Sequence, residues 1–430
     1  MTITWRAVAL TAVGVVPVLL LPTPGTVLLW AVLCLVVCAV DAALAASPRA
    51  LALRRQVPGP VRLHEDARSR LTVTHTGARR LRGTVRDAWQ PSAGTGRDRH
   101  PVDLPPGEAR HLDTPLRPSR RGDLHADRVT VRTVGPLGVA GRQASFDVPG
   151  TLRVLPAFAS RRHLPSRLAR LREMDGRAAV QVRGAGTEFD SLREYVIGDD
   201  VRSIDWRASA RRSDVVVRTW RPERDRRVLI VVDTSRTSAA RTGEEPRLDA
   251  SVEAALLLAA LASRAGDRVE LLAHDRTVRA RVAGVSGPRL MPAVADALAG
   301  VEPSLVEADW PGLVGQVQQR LSQRALVVLL SALEPAAVEQ GLLPVVDRLA
   351  SRHQVVLASV RDPEVERLRA GREDVAALFD AAAAERTELE RSALAQRLRG
   401  RGVEVVDALP DDLAPRLADA YLALKAAGRL

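Results

Sequence analysis

Asp233, Ser235 and Thr237 place a carboxylate and two hydroxyls at alternate positions of one short stretch, Asp233-Thr234-Ser235-Arg236-Thr237. Oxygens at i, i+2 and i+4 of a loop can converge on a hard divalent cation, since Mg2+ takes oxygen ligands octahedrally and keeps several waters, and Mn2+ accepts the same donors. The same residue types also cap helices and turns, so a capped turn is the competing reading. A second concentration of polar residues runs from Gly184 to Arg211 and contains Gly184, Gly186, Glu188, Phe189, Arg193, Tyr195, Gly198, Asp199, Asp200, Arg202, Asp205 and Trp206. Its glycines allow positive φ, and Asp199, Asp200 and Asp205 lie within sequence reach of Arg193, Arg202 and Arg207 for bidentate pairing. The expected product is an ion-paired clasp that either binds a partner or locks the domain. Its Gly-x-Gly is no dinucleotide fingerprint, because the third glycine is missing and no strand leads into it.

Other chemistries lack their parts. Lys425 is the only lysine, which excludes a phosphate-binding P-loop and leaves almost no Schiff-base candidate. No Gly-x-Ser-x-Gly elbow occurs, and His64, His75, His100, His111 and His125 are scattered without metal-ligand spacing. His274 and His353 stand apart from any nucleophile. No catalytic residue is assigned, and the chain is not expected to be an enzyme; a metal-dependent enzyme is the remoter alternative.

The elements that would position these residues differ along the chain. From 51 to 157 short alternating runs such as Val129-Thr130-Val131-Arg132-Thr133-Val134 are punctuated by Pro105-Pro106-Gly107 and Gly135-Pro136-Leu137-Gly138, which predicts a small all-β, sandwich-like domain. Residues 158–226 form an Arg- and Asp-rich connecting segment. From 227 onward strands and helices alternate: Val228-Leu229-Ile230-Val231-Val232 reads as a strand buried on both faces, followed by a helix over 248–264 and a strand over 268–273. Further strands are predicted at 325–330, 355–360 and 403–406, with helices near 288–299, 311–323, 335–352, 363–398 and 411–427. Such alternation implies a doubly wound α/β domain over 227–430. Asp233 then stands at the carboxyl end of its first strand, where ligands bind in sheets of this kind.

Residues 1–50 are dominated by two apolar runs, Trp5 to Leu21 and Val27 to Ala46, with Pro22-Thr23-Pro24-Gly25-Thr26 between them. At 1.5 Å per residue they reach about 26 and 30 Å, close to the hydrocarbon thickness of a bilayer, so a two-helix transmembrane hairpin is expected. A cleaved leader is the competing reading for the first run. Arg6 at its start and Arg49, Arg54 and Arg55 after the second place both ends on the cytoplasmic side of an inner membrane. Cys34 and Cys38, the only cysteines, lie in the second run and build no disulfide framework. The formal charge of +12 is concentrated in residues 51–230, where 36 arginines face 21 acidic residues; residues 231–430 carry 25 basic against 29 acidic. An anionic leaflet would attract such a surface. A nucleic-acid binder is the other reading, and the low aromatic content and the interleaved acids argue against it.

The pattern Gly-x-Gly-x-Glu-Phe-x-x-Leu-Arg-x-Tyr-x-x-Gly-Asp-Asp-x-Arg-x-Ile-Asp-Trp-x-Ala-Ser-Ala-Arg over 184–211 resembles the signature of the bacterial family called domain of unknown function 58. Arg120-Arg121-Gly122-Asp123-Leu124 and Gly135-Pro136-Leu137-Gly138 resemble that family's β-region, with Gly135 in place of an Asp. Asp233-x-Ser235-x-Thr237 is similar to the metal-ion-dependent adhesion motif (MIDAS) of von Willebrand factor A domains. That resemblance implies a Thr from a later loop and an Asp after the fourth strand. Here Ser331 or Ala332 stands at the Asp position, and Thr242 and Asp249 are only nearby candidates, so the site reads as degenerate. The resemblance further implies a membrane-anchored scaffold or adaptor that presents its A-type domain to a MoxR-type AAA+ ATPase and to a client protein whose assembly or maturation it serves.

Overall fold

In the computed structural model, which describes residues 2–181, 188–197, 199–212, 214–221, 226–243 and 245–430, the first apolar run breaks in two. Helices α1 (Trp5–Val13) and α2 (Val15–Leu20) meet at Gly14, where the Trp30 ring of the next helix occupies the space a side chain would need. Helix α3 (Pro24–Leu44) starts cleanly: Thr23 accepts a hydrogen bond from the Thr26 amide, and Pro24 takes the first helical position. Its 21 residues make it the one helix among the described residues long and apolar enough to cross a membrane. This corrects the expected hairpin of two spans. Apolar length alone suggested a second span, but the break leaves pieces of nine and six residues, short of the roughly 17–25 that a span requires.

The chain divides into two units between Ala157 and Phe158. The first is built from strands β1 (Leu51–Gln56), β2 (Ala67–His75), β3 (Leu81–Trp89), β4 (Arg99–Leu104), β5 (Ala109–Leu116), β6 (Gly122–Val134), β7 (Ala140–Asp147) and β8 (Thr151–Leu155). Strands β1, β2 and β5 form a three-stranded antiparallel sheet. The larger sheet is mixed: β8 pairs antiparallel with β6 but parallel with Val61–Arg62, and Thr2–Ile3 adds itself antiparallel to β7. A mixed, sheet-rich domain behind one membrane-length helix therefore replaces the expected two-helix hairpin and all-β sandwich. Alternate residues of both sheets, including Leu71, Val73, Leu81, Val85, Val129 and Val131, share one core. A charged pair lies in the same interior. Arg55 Nη2 sits 2.7 Å from Asp87 Oδ1 with both side chains almost wholly buried. Arg55 also donates to the Val148 carbonyl and lies 5.1 Å from the centre of the Trp89 ring, while Thr114 donates to Asp87 Oδ2 at 2.8 Å.

In the second unit, helix α4 (Leu164–Gln181) precedes a two-stranded antiparallel ribbon, β9 (Glu188–Glu194) with β10 (Val216–Arg221), which encloses helix α5 (Trp206–Arg212). The remaining chain forms β11 (Arg227–Asp233), α6 (Arg247–Arg264), β12 (Arg268–His274), β13 (Val278–Val282), α7 (Leu290–Ala299), α8 (Trp310–Arg320), β14 (Leu326–Leu330), α9 (Leu343–Ala350), β15 (Gln354–Val360), α10 (Pro363–Ala370), α11 (Val375–Arg399), β16 (Val403–Ala408) and α12 (Pro410–Ala426). These strands make a six-stranded sheet in the order β13-β12-β11-β14-β15-β16, parallel except for the edge strand β13. Strand β11 is buried along its length beyond Arg227 because helices cover both faces. On one face Leu229, Val231, Val327 and Leu357 pack with Trp310, Val346 and Leu398 from α8, α9 and α11. The single helix predicted over 363–398 is two, α10 and α11, interrupted at Gly371 to Asp374. Buried Asp267 accepts from Tyr421 Oη at 2.5 Å and pairs with Lys425 Nζ at 2.7 Å, which fastens the last helix to the turn before β12.

His353 is buried, and neither ring nitrogen has a hydrogen-bond partner. Burial pushes its pKa down, aided by Arg352, and burial does the same to His274. As pH falls below about 6.5 the unfolded chain protonates these rings while the folded chain resists. Stability of the second unit is expected to be full above that pH and to decline below it. Urea midpoints measured on either side of pH 6.5 test this, and His353→Leu should flatten the dependence.

Candidate functional site

Strand β11 is followed in sequence by β12 on one side and, after α7 and α8, by β14 on the other, so the loops after β11 and β14 leave the sheet at its topological switch point. The site sits in that crevice. Asp233, at the carboxyl end of β11, accepts from the Ser235 amide at 2.8 Å through Oδ1, and from Thr237 Oγ1 at 3.2 Å and Ser331 Oγ at 2.6 Å through Oδ2. Ser235 Oγ and Thr237 Oγ1 lie 3.2 Å apart, and the Asp233 carbonyl accepts from Ser238 Oγ at 2.7 Å. Asp233, Ser235 and Thr237 are thus gathered as their spacing suggests, and Ser331 joins them from the end of β14. Thr242 lies instead in the short Arg241–Thr242 strand, and Asp249 in the first turn of α6.

One wall of the crevice is fixed by a second carboxylate. Asp275 is fully buried and accepts from Ser304 Oγ at 2.6 Å, Arg279 Nε at 2.6 Å, Thr234 Oγ1 at 3.3 Å and the amides of Arg276 and Thr277. Burial opposes its ionisation, but these donors outweigh burial and hold its pKa far below the usual carboxylate range. Asp275 therefore ties the loop after β12 to the Asp233 loop. Beside them is a cavity of about 10 Å³ lined by Asp233, His274, Asp309, Trp310, Leu313 and Ser331, room for about one water molecule. His274 pairs in register with Asp233, and burial lowers its pKa against the pull of Asp309, Asp275 and Asp233. Sequence reasoning set His274 aside as isolated and did not single out Asp309; the carboxyl-edge position of His274 at the end of a strand was the available signal.

Among the described residues no group of three His, Cys, Asp or Glu side chains is placed to hold a metal. The cluster at Asp233 is all oxygen and has the right hardness for Mg2+ or Mn2+, with a single carboxylate and the hydroxyls of Ser235, Thr237 and Ser331. It would leave a bound divalent cation with net positive charge.

In the Arg/Asp-rich segment, Gly184, Gly186 and Gly198 lie outside the described residues. Glu188 and Phe189 pair through the backbone with Arg221 and Trp220. Arg193 Nη2 meets Asp199 Oδ1 at 2.6 Å, and Asp199 Oδ2 also accepts from the Val196 amide. This bond raises the Arg193 pKa. Tyr195 donates its amide to the Val215 carbonyl, and Asp200 caps the short turn containing Arg202. Asp205 pairs with Arg218, beyond the arginines nearest to it in sequence. Its Oδ1 caps α5 through the amides of Arg207 and Ala208, which leaves Oδ2 for Arg218 Nε at 2.8 Å. The cap, then Arg218, lowers the Asp205 pKa. Trp206 is exposed. The pairing is local to the ribbon and its turn.

Residues 191–403 match the model of a family described as "Protein of unknown function DUF58". The DUF58 match takes in most of the β9–β10 ribbon, the Asp233 loop and Ser331. Protein relatives carry no assigned activity: "Uncharacterized protein YeaD" of Bacillus subtilis is 26% identical over 158 residues, covering 37% of this chain and 38% of the relative. "Uncharacterized protein Rv1480" of Mycobacterium tuberculosis is 28% identical over 185 residues, covering 42% and 57%. The matched part thus spans less than two thirds of either relative. Among solved structures, the CARDB domain of the PF1109 protein from Pyrococcus furiosus covers 24% of this chain and 91% of that chain at 19% identity and a TM-score of 0.18.

Proposed function

We propose that this protein is a membrane-anchored scaffold or adaptor whose recognition face is the carboxyl edge of the parallel sheet, used as a von Willebrand factor A-like domain. The observation that carries the reading is the Ser331–Asp233 hydrogen bond across the switch point, which gathers Asp233, Ser235, Thr237 and Ser331 where such sheets bind ligands. Mg2+ or Mn2+ on these oxygens would keep net positive charge and favour a carboxylate from a partner to complete its shell. Helix α3 is the tether, and Arg49 and Arg54, which follow it, set the soluble units in the cytoplasm by the positive-inside rule. The partner class is a MoxR-type AAA+ ATPase acting with this chain on a client protein, as the resemblance of the 184–211 signature implies.

Calorimetry on the detergent-solubilised full chain tests the site. Mg2+ or Mn2+ should give binding heat that Asp233→Ala abolishes, and Ser331→Asp, by adding a second carboxylate, should tighten binding about tenfold or more. Cross-linked capture from native membranes tests the role: an AAA+ ATPase should be recovered with the wild type and lost with Asp233→Ala, and a partner set without any AAA+ protein would refute it.

A further inference from the structure

Asp233 has a neighbour on each side in the sheet. Ser331 directly follows Leu330, which pairs in register with Val232, and it donates to Asp233 Oδ2 at 2.6 Å. On the other side Asp233 pairs in register with His274, the last residue of β12. Neighbouring strands lie about 4.8 Å apart, and residues in register across a parallel pair project from the same face. That face is identified by Leu272, Val231 and Leu329, each two residues earlier on its strand, which pack with Trp310 and Leu313 of α8. Alternation therefore carries His274, Asp233 and Ser331 to one side of the sheet, and all three line the small cavity beside Trp310 and Leu313. His274 is 5% exposed, and its ring makes no hydrogen bond among the described residues. Burying an imidazole without a partner costs free energy that a water molecule or an ion in the cavity would recover. The surrounding charge favours an ion. Asp309, Asp275 and Asp233 all act on the ring, with Arg320 as the opposing cation. Asp275 is already matched by Arg279, whereas the donors to Asp233 are an amide and hydroxyls that carry no charge. A buried carboxylate that lacks a cation thus stands next to a buried imidazole that lacks a partner.

We propose that His274 is a nitrogen ligand of the cation site at Asp233 and makes that site selective for a first-row transition ion over Mg2+. The proposal rests on the reading of Asp233, Ser235, Thr237 and Ser331 as a divalent-cation site. Mg2+ takes oxygen donors and gains little from an imidazole. Imidazole suits the later first-row ions, and the affinity of a mixed nitrogen and oxygen site rises from Mn2+ to Co2+. One imidazole, one carboxylate and the hydroxyl of Ser331 supply the protein side of such a shell, and water completes it.

The test titrates the tag-free, detergent-solubilised full chain with Mg2+, Mn2+ and Co2+ in a calorimeter. Co2+ should bind about a hundredfold more tightly than Mg2+, and His274→Leu should weaken Co2+ about tenfold or more while changing Mg2+ less than about twofold. Pulsed electron paramagnetic resonance of the Mn2+-loaded wild type should show nitrogen hyperfine coupling from a directly bound imidazole, and Asp233→Ala should abolish it. This signal is read on the wild type, so the outcome does not depend on whether the His274 variant folds. Mn2+ bound without nitrogen coupling, or Co2+ affinity unchanged in His274→Leu, would overturn the ligand role and leave the ring facing water only. Failure of the underlying reading looks different: no heat from any of the three ions, or heat that survives Asp233→Ala, refutes the cation site itself. Heat that depends on Asp233 but not on His274 refutes the nitrogen ligand alone.

Discussion

Asp87→Ala is expected to destabilise the first unit by about 3–5 kcal/mol, because it leaves the Arg55 guanidinium charged and buried without its counter-ion. For a unit of this size that corresponds to a fall of roughly 10 °C in its thermal midpoint. The interior offers Arg55 only partial relief: the Val148 carbonyl at 3.0 Å, the Ser69 hydroxyl at 3.5 Å and the face of Trp89. None of these carries negative charge. The loss also strands Thr114, whose hydroxyl donates to Asp87 and lies 3.1 Å from His100 Nε2. Denaturant unfolding followed by Trp89 fluorescence reads the effect. Replacing both charges, as Arg55→Met with Asp87→Leu, should recover most of the stability, since the cost lies in the unpaired charge rather than in absence of the pair. A double variant as unstable as Asp87→Ala would show that the pair itself sustains the core.

Asp41→Ala should loosen the junction between α3 and the first unit. The carboxylate is fully buried at the helix end, where Oδ1 accepts from the Leu137 amide and Oδ2 from the amides of Val139 and Ala140, each at 2.8 Å. Hydrogen bonds to a charged group contribute about 1.5–3 kcal/mol each, so losing three at once should expose the 135–140 turn to protease while α3 stays in the bilayer. Asp41→Asn keeps one oxygen and should be cut more slowly than Asp41→Ala. The turn is shaped for this carboxylate, because any side chain at Gly135 would collide with it. Equal cleavage of wild type and Asp41→Ala would remove Asp41 from the junction.

How much of this was legible follows from the range of each interaction. The Asp233 loop could be read because a continuous β-branched strand precedes it and its oxygens lie within five residues. Ser331 could be placed next to it only in outline, since its approach depends on strand order rather than spacing. Arg193 and Asp199 are six residues apart and could be paired from sequence. The partner of Asp205 could not be read, because capping claims one of its oxygens and the bridge between Ile204 and Val217 delivers the more distant Arg218 to the other. The first apolar run was read as a span from its length, which is blind to the Trp30 ring packing at Gly14. Arg55 with Asp87, and Asp41 with the 135–140 turn, join residues 32 and about 96 positions apart, and nothing in local pattern marks them.

Lys425 held against Asp267 and Tyr421 has a practical consequence. Its side chain is 11% exposed and engaged on three sides, so amine-directed reagents and acylating modifications find almost nothing to react with on this chain apart from the α-amino group. A lysine introduced beside Asp233 would therefore be a nearly unique chemical address, and a cross-linker placed there would report the neighbours of that one position.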